Sequence, residues 1–275
     1  LKSSWSVLRQ DPKLMVFPVV SMTALILVLA TFMVPFFVDH NLARSIADKQ
    51  GSGRILAYVF SFLFYLASNF VIIFFNVALI SCVMRRFRGE SSTLGDGLSA
   101  AMSRLPQIIG WAFVAATVGM ILRAIEERVP AVGKIVVRLV GMAWAAVTYF
   151  VTPVLVVEGL GPKDALTRSA ELLKRTWGES LVGQVSLGLF SFIAVLPGFV
   201  FLIAGVAIGT RSNPPSPAPI ILGTVAFFLW VALIAIISSV LRQIFVAGSY
   251  VYAAEGRVPS GFEPELVQTA FAAKR

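Results

Sequence analysis

Very few residues in this 275-residue sequence could carry out covalent or acid–base chemistry. There is one histidine, His40, beside Asp39, and one cysteine, Cys82, inside an apolar run. A single histidine excludes the two-histidine helix motif of a membrane metalloprotease. A single cysteine excludes an intrachain disulfide and any cysteine-based metal cluster. The Asp39–His40 pair has no partner nucleophile and reads as a solvated loop pair rather than an acid–base device. The sequence is therefore read as that of a non-enzyme, with no catalytic residue, cofactor or metal.

The polar residues that stand out instead interrupt apolar runs. Asn69 and Asn76 are seven apart, so on a helix they share a face. Glu126 and Glu127 close an apolar run, and Arg138 lies a turn inside the next one, where it can meet either carboxylate. Gln184, Arg242 and Gln243 interrupt two later runs. Such groups are costly in a bilayer and face protein or water. They can line a path or gate it. They can equally join helices by hydrogen bonds worth about 0.6–2 kcal/mol, and a buried charge needs a partner whatever the function. Pro197-Gly198 breaks a run near its middle. Broken helices bind ions and substrates in transporters, although a Pro-Gly kink occurs in spans of every kind.

The elements that position these residues must be membrane helices. The chain is 57% hydrophobic and only 13% charged, against about 25% charged in soluble domains, and its mean hydropathy is +0.86. A globule of this length could not hide so much apolar surface. Six runs are long enough to cross a hydrocarbon core of ~30 Å: residues 14–38, 55–83, 108–125, 135–157, 181–208 and 220–252. The expected fold is all-α, a polytopic transmembrane bundle that forms a single domain over residues 1–275.

Fifteen of the 23 Lys and Arg residues fall in the N-terminal segment, the loops after the even-numbered spans and the C-terminal segment. That bias places both termini in the cytoplasm. The stiff, nearly uncharged stretch from Ser212 to Pro219 suits the other side. The formal charge of +9 is spread over short loops. It forms no basic aromatic groove, so anionic lipid headgroups at the cytoplasmic leaflet are the expected partner and nucleic acid is not.

The cytoplasmic loops share a plan. Each even-numbered span ends at a glycine (Gly89, Gly159, Gly256), and a short amphipathic helix follows, at about 94–105, 162–177 and 260–271. Thr93-Leu-Gly-Asp96 and Ser260-Gly-Phe-Glu263 look like capping boxes, and Pro162 is a helix-starting proline. The pattern predicts three hairpins, each followed by an interfacial helix that either couples to lipid or simply anchors the loop. Trp111 and Trp177 are expected as interface anchors. Gly205-Val-Ala-Ile-Gly209 is a small-xxx-small motif that can pack helices or protomers, so a homo-oligomer is an open alternative.

One stretch carries a resemblance. Pro153-Val-Leu-Val-Val-Glu158-Gly, Ala165-Leu-Thr-Arg-Ser169 and Leu172-Leu-Lys-Arg-Thr-Trp177 resemble a bacterial family of uncharacterised integral membrane proteins. More distantly, they are similar to the membrane domain fused to some glycerophosphodiester phosphodiesterases. The first resemblance spans the whole chain and implies a bacterial inner-membrane protein. The second covers only one span and its amphipathic helix. It carries over no catalytic residue, because the acidic and histidine motifs of the phosphodiesterase domain are missing. The polar set and the kink lean the reading toward a channel or transporter. The alternative is a non-catalytic scaffold or an accessory subunit of a larger complex.

Overall fold

The computed structural model describes residues 2–38, 52–212 and 216–259, and these form helices and short turns without a strand. The expected helix at 260–271 and the Asp39–His40 pair lie outside the described residues, and so does the side chain of Trp177.

The chain starts with α1 (Lys2–Gln10), a helix not anticipated from the mostly polar N-terminal segment. It buries Ser4, Val7 and Leu8 and leaves Trp5 exposed. A 3₁₀ turn at Pro12–Met15 buries Leu14 and leads into α2 (Val16–Val38). After it comes α3 (Ser52–Phe87), 36 residues long. At 1.5 Å per residue this is about 54 Å, well beyond a hydrocarbon core of ~30 Å. Next are α4 (Leu94–Ser103), α5 (Leu105–Glu126) and α6 (Ala131–Val147). The chain continues through α7 (Val151–Val157), α8 (Pro162–Arg175), α9 (Trp177–Val195), α10 (Gly198–Arg211) and α11 (Ala218–Glu255). Six stretches are long and apolar enough to cross a membrane: Pro12–Val34, Ile55–Phe87, Leu105–Glu126, Ala131–Val157, Gln184–Arg211 and Ala218–Glu255.

The fourth span is not the single helix expected. It breaks at Thr148–Phe150, between α6 and α7. Pro153 is the cause. It has no N–H for the carbonyl of Tyr149, four residues back, and its ring crowds that carbonyl. The fifth span breaks between α9 and α10 at Leu196-Pro197 for the same reason.

Consecutive spans touch, with α2 on α3 and α9 and α10 on α11, while α5 meets α6 more lightly. The buried core is gathered at one end. It takes the last three turns of α3, the last four of α11, all of α7 and the start of α5, and α1, α4 and α8 close over it. We call this the compact end. Three glycines, Gly89, Gly159 and Gly256, follow α3, α7 and α11 there with φ of 80°, 65° and 68°. In each case the left-handed residue turns the chain off the helix axis, which only glycine does without strain. The amide of Gly256 bonds to the carbonyl of Tyr252 (3.0 Å), and that of Gly159 to Val154 (3.1 Å).

At the opposite end the spans part. None of the residues of α6 is buried. Among the described residues there, α10 and α11 are the most closely paired. A Cβ on Gly223 would lie 2.4 Å from the Phe201 carbonyl, and one on Gly205 would lie 2.6 Å from that of Pro219. The small-xxx-small motif is thus consumed inside the chain, by α11, rather than left free for a second protomer.

Candidate functional site

The predicted polar residues are scattered along the bundle, and among the described residues the structure bonds only one pair of them directly. Arg138 Nε lies 3.7 Å from Glu126 Oε1, with the arginine side chain 72% exposed. Glu127 pairs instead with Arg123, at 3.1 Å. Arg123 also donates from Nη1 to the hydroxyl of Tyr65 (3.2 Å), joining α5 to α3. Asn69 donates to the carbonyl of Tyr65 in its own helix (2.8 Å). Asn76, Gln184 and Gln243 are half-buried, and Arg242 is exposed. Trp111 is no interface anchor: it is buried and stacks on Trp144 with ring centroids 5.9 Å apart, because its helix face is the one that meets α6.

The two helix breaks are more informative, since each frees backbone groups that must find partners at low dielectric. At the break in the fifth span, the carbonyl of Ala194 accepts a hydrogen bond from Trp230 Nε1 of α11 (2.9 Å). Gly198 lets that ring come close: a Cβ there would sit 2.7 Å from Trp230 Cδ1. Pro197 itself is exposed. One turn earlier, Ser191 donates to Leu187 O and shares a 2.8 Å hydrogen bond with Ser238 of α11.

At the break in the fourth span the partner comes from α8. The Ser169 hydroxyl accepts the amide of Phe150 (2.9 Å) and donates to the carbonyl of Val147 (2.6 Å). Ser169 is fully buried, so one side chain satisfies a donor and an acceptor that the break would otherwise strand. The face that carries it also buries Ala165, Leu172 and Leu173.

Beside Ser169 is the most connected polar cluster at the compact end. Arg168 Nε contacts both carboxylate oxygens of Glu158, at 3.0 and 3.2 Å, and the Tyr250 hydroxyl of α11 donates to Glu158 Oε1 at 2.9 Å. Arg168 also reaches Glu171 (3.4 Å). The bond to Glu158 holds the Arg168 guanidinium above its ordinary pKa, so the charge stays. Glu158 thereby ties the end of α7 to α8 and to α11. Its neighbour Gly159 lies under the guanidinium of Arg104, and its carbonyl accepts from Gln107 Nε2 (3.5 Å).

A parallel arrangement follows α3. Thr93 and Asp96 form a reciprocal capping box, with Asp96 N to Thr93 Oγ1 at 3.2 Å and Thr93 N to Asp96 Oδ2 at 2.9 Å. These bonds from the Thr93 backbone and hydroxyl hold the Asp96 carboxyl below its ordinary pKa. Arg85 adds an ion pair at 3.5 Å. Gly97 brings α4 onto α3, since a Cβ there would lie 2.8 Å from the Ala78 carbonyl. The buried face of α4 is therefore centred on Gly97 and Ala101. Leu98 and Met102 are exposed.

The remaining feature is an apolar cleft of about 460 Å³ between α2, α3 and α5, lined by Phe32, Leu63, Leu66, Ala67, Phe70, Ile109 and Ala112. Among the described residues no group of His, Cys, Asp and Glu is placed to hold a metal ion.

Six apolar spans, two of them broken beside a proline, define a multi-pass helical membrane protein. The chain belongs to a family of unknown function, DUF6159, whose profile matches residues 55–262. No curated protein and no solved structure matches the chain, so the similarity to phosphodiesterase membrane domains gains no support there.

Proposed function

We propose that the protein is a non-catalytic membrane scaffold or accessory subunit. Its three helical hairpins are tied at the compact end to the anionic cytoplasmic leaflet of a bacterial inner membrane, and both termini lie inside. The observation that carries this reading is the occupied break in the fifth span. A transporter with a broken helix offers the freed carbonyls to an ion or substrate. Here Trp230 takes the carbonyl of Ala194, and Ser169 does the equivalent in the fourth span.

The orientation is supported by exposed Arg9, Lys13, Arg85, Arg88, Lys163, Lys174 and Arg175, all on elements of the compact end. Cytoplasmic loops carry such an excess, and anionic headgroups attract each cation by about 1 kcal/mol near the surface. Burial of one face of α1, α4 and α8, with Trp5, Leu98 and Met102 left exposed, suits helices that lie in the headgroup layer.

The channel or transporter reading retains one feature, the half-buried Asn76, Gln184 and Gln243 within spans. Purified protein in liposomes distinguishes the two. A scaffold gives no conductance and no uptake above empty liposomes across a broad solute panel. Solute flux that Trp230→Phe alters would overturn the scaffold reading in favour of transport.

A further inference from the structure

Arg242 is an exposed cation in a spanning helix, α11. The described arginines that meet a carboxylate are Arg85, Arg123, Arg138, Arg168 and Arg257, and Arg242 is not among them. Its depth follows from α5, the shortest span. The 22 residues of α5 rise about 33 Å, little more than a hydrocarbon core of ~30 Å, so both its ends stand near a boundary. At the compact end α5 starts against Gly159: Gln107 donates to the Gly159 carbonyl, and the guanidinium of Arg104 covers that glycine. The preceding residue, Glu158, accepts from Tyr250 of α11. Tyr250 therefore marks the same boundary on α11. Arg242 comes eight residues earlier, about 12 Å further into the core. An extended arginine reaches only ~7 Å from its Cα. Side chains on a helix also lean toward its N-terminus, which for α11 is the far end. Snorkelling to the near headgroups is thus short in reach and opposed in direction.

The face of α11 that leads to Arg242 admits a close neighbour. Ala232, Ala235, Ser239 and Arg242 follow one another at spacings of three, four and three, which is one side of a helix. Ala235 and Arg242 are exposed, and Ala232 and Ser239 are half-buried. The helices α9 and α10 use another side, where Ser238, Trp230 and Gly223 lie. Among the described residues α6 is not a close neighbour of α11, since it parts from the core. Small residues at such a face let two helix backbones approach.

We propose that this face receives a transmembrane helix of a different protein, and that a carboxylate about eight residues inside that helix pairs with Arg242. Charge complementarity carries the choice, because an ionised group at this depth pairs with an opposite one. Lipid phosphates lie beyond the reach of the guanidinium. A second copy of the chain has no carboxylate to offer there. Every Asp and Glu in its spanning helices stands in a first or last turn: Glu126 of α5, Glu179 of α9 and Glu255 of α11. The inference rests on the scaffold reading and names the kind of subunit that the scaffold holds. Solute flux would remove that reading, whereas the measurements below address Arg242 alone.

The test uses the full chain in phospholipid vesicles with a synthetic transmembrane helix of about 23 residues, mostly Leu and Ala, that carries one Glu about eight residues from an end. Energy transfer between the labelled chain and the labelled probe reads their association. The Glu probe should bind about tenfold more tightly than the same helix with Gln. Arg242→Leu should abolish that preference, and Arg242→Lys should keep it. Arg242→Glu should transfer it to a probe with Lys at the same position, a reversal that a misfolded chain does not produce. Depth is read separately in nanodiscs, on Arg242→Cys combined with Cys82→Ala. That thiol should resist a membrane-impermeant maleimide that modifies Lys163→Cys in the same background. Equal modification of the two would place Arg242 among the headgroups and overturn the proposal. So would equal binding of the Glu and Gln probes, or a preference that survives Arg242→Leu.

Discussion

At the compact end of the bundle the ends of α3 and α11, α7 and the start of α5 share one buried core under α1, α4 and α8, whereas at the far end the spans part and leave α6 without a buried residue. The two regions are built from similar apolar residues, so composition does not separate them. The difference lies in what accompanies those residues. At the compact end three left-handed glycines turn the chain back over the core, and Ser169, Glu158 and Tyr250 bond one helix to the next. At the far end the pairing of α10 with α11 relies on backbone approach at Gly205 and Gly223. Elsewhere in that region large apolar side chains are exposed, as suits a bilayer whose interior is as apolar as they are.

The largest contrast should come from truncating one leucine in each region of the same helix. Leu241 is fully buried and Leu229 is 67% exposed, both in α11. Leu241→Ala leaves a cavity and should cost about 3 kcal/mol, while Leu229→Ala should stay within about 0.5 kcal/mol. Thermal unfolding in a fixed lipid or detergent measures both. Equal losses would erase the distinction between the two ends.

Next in size is Ser169→Ala. It strands the Phe150 amide and the Val147 carbonyl in a buried break, at a cost of about 2 kcal/mol. Hydrogen exchange at Phe150 should accelerate, while amides of α10 should stay unchanged. If Phe150 remains protected, α8 does not hold the break, and the compact end is held by apolar contact alone. Trp230→Phe is the smaller counterpart in the fifth span. It removes one bond to a partly buried carbonyl and should cost about 1 kcal/mol, because the ring that packs on Gly198 is kept.

These variants also mark how far the sequence could be read. The six spans follow from run length and hydropathy. The glycines after α3, α7 and α11, and the proline in the fifth span, were visible as punctuation. The break at Thr148–Phe150 had a signal as well, Pro153, but the consequence of a proline falls four residues upstream and is easily assigned to the wrong turn. Helix α1 was hidden because only Trp5, Val7 and Leu8 mark it within nine residues. The bonds themselves were out of reach. Tyr250 is 92 residues from Glu158, and Trp230 is 36 from Ala194. Nothing in local periodicity says which helix lies alongside which. The polar residues singled out by their rarity, Asn69 and Asn76 above all, proved less connected than Ser169 and Trp230, which are ordinary residues for a span or a surface helix.

The smallest expected effect concerns the capping box of α4, whose stability should depend on acidic pH through the depressed Asp96 carboxyl. Asp96 ionises more readily in the folded chain because its carboxylate accepts the Thr93 amide and hydroxyl. A carboxyl depressed in this way favours the folded state fully above its unfolded pKa of about 3.9. The contribution is lost as pH falls through the lower, folded value. Thr93→Ala removes the hydroxyl but keeps the amide, so the Asp96 titration should move only part of the way back up, as read by carboxylate carbon chemical shifts. Because the group is exposed, the start of α4 should fray at low pH without disturbing Gly97 or Ala101 beneath it. If acid instead released the whole of α4 from α3, the cap rather than the buried glycine face would be what holds this helix, and the account of the compact end given by Leu241 and Ser169 would need a larger electrostatic share.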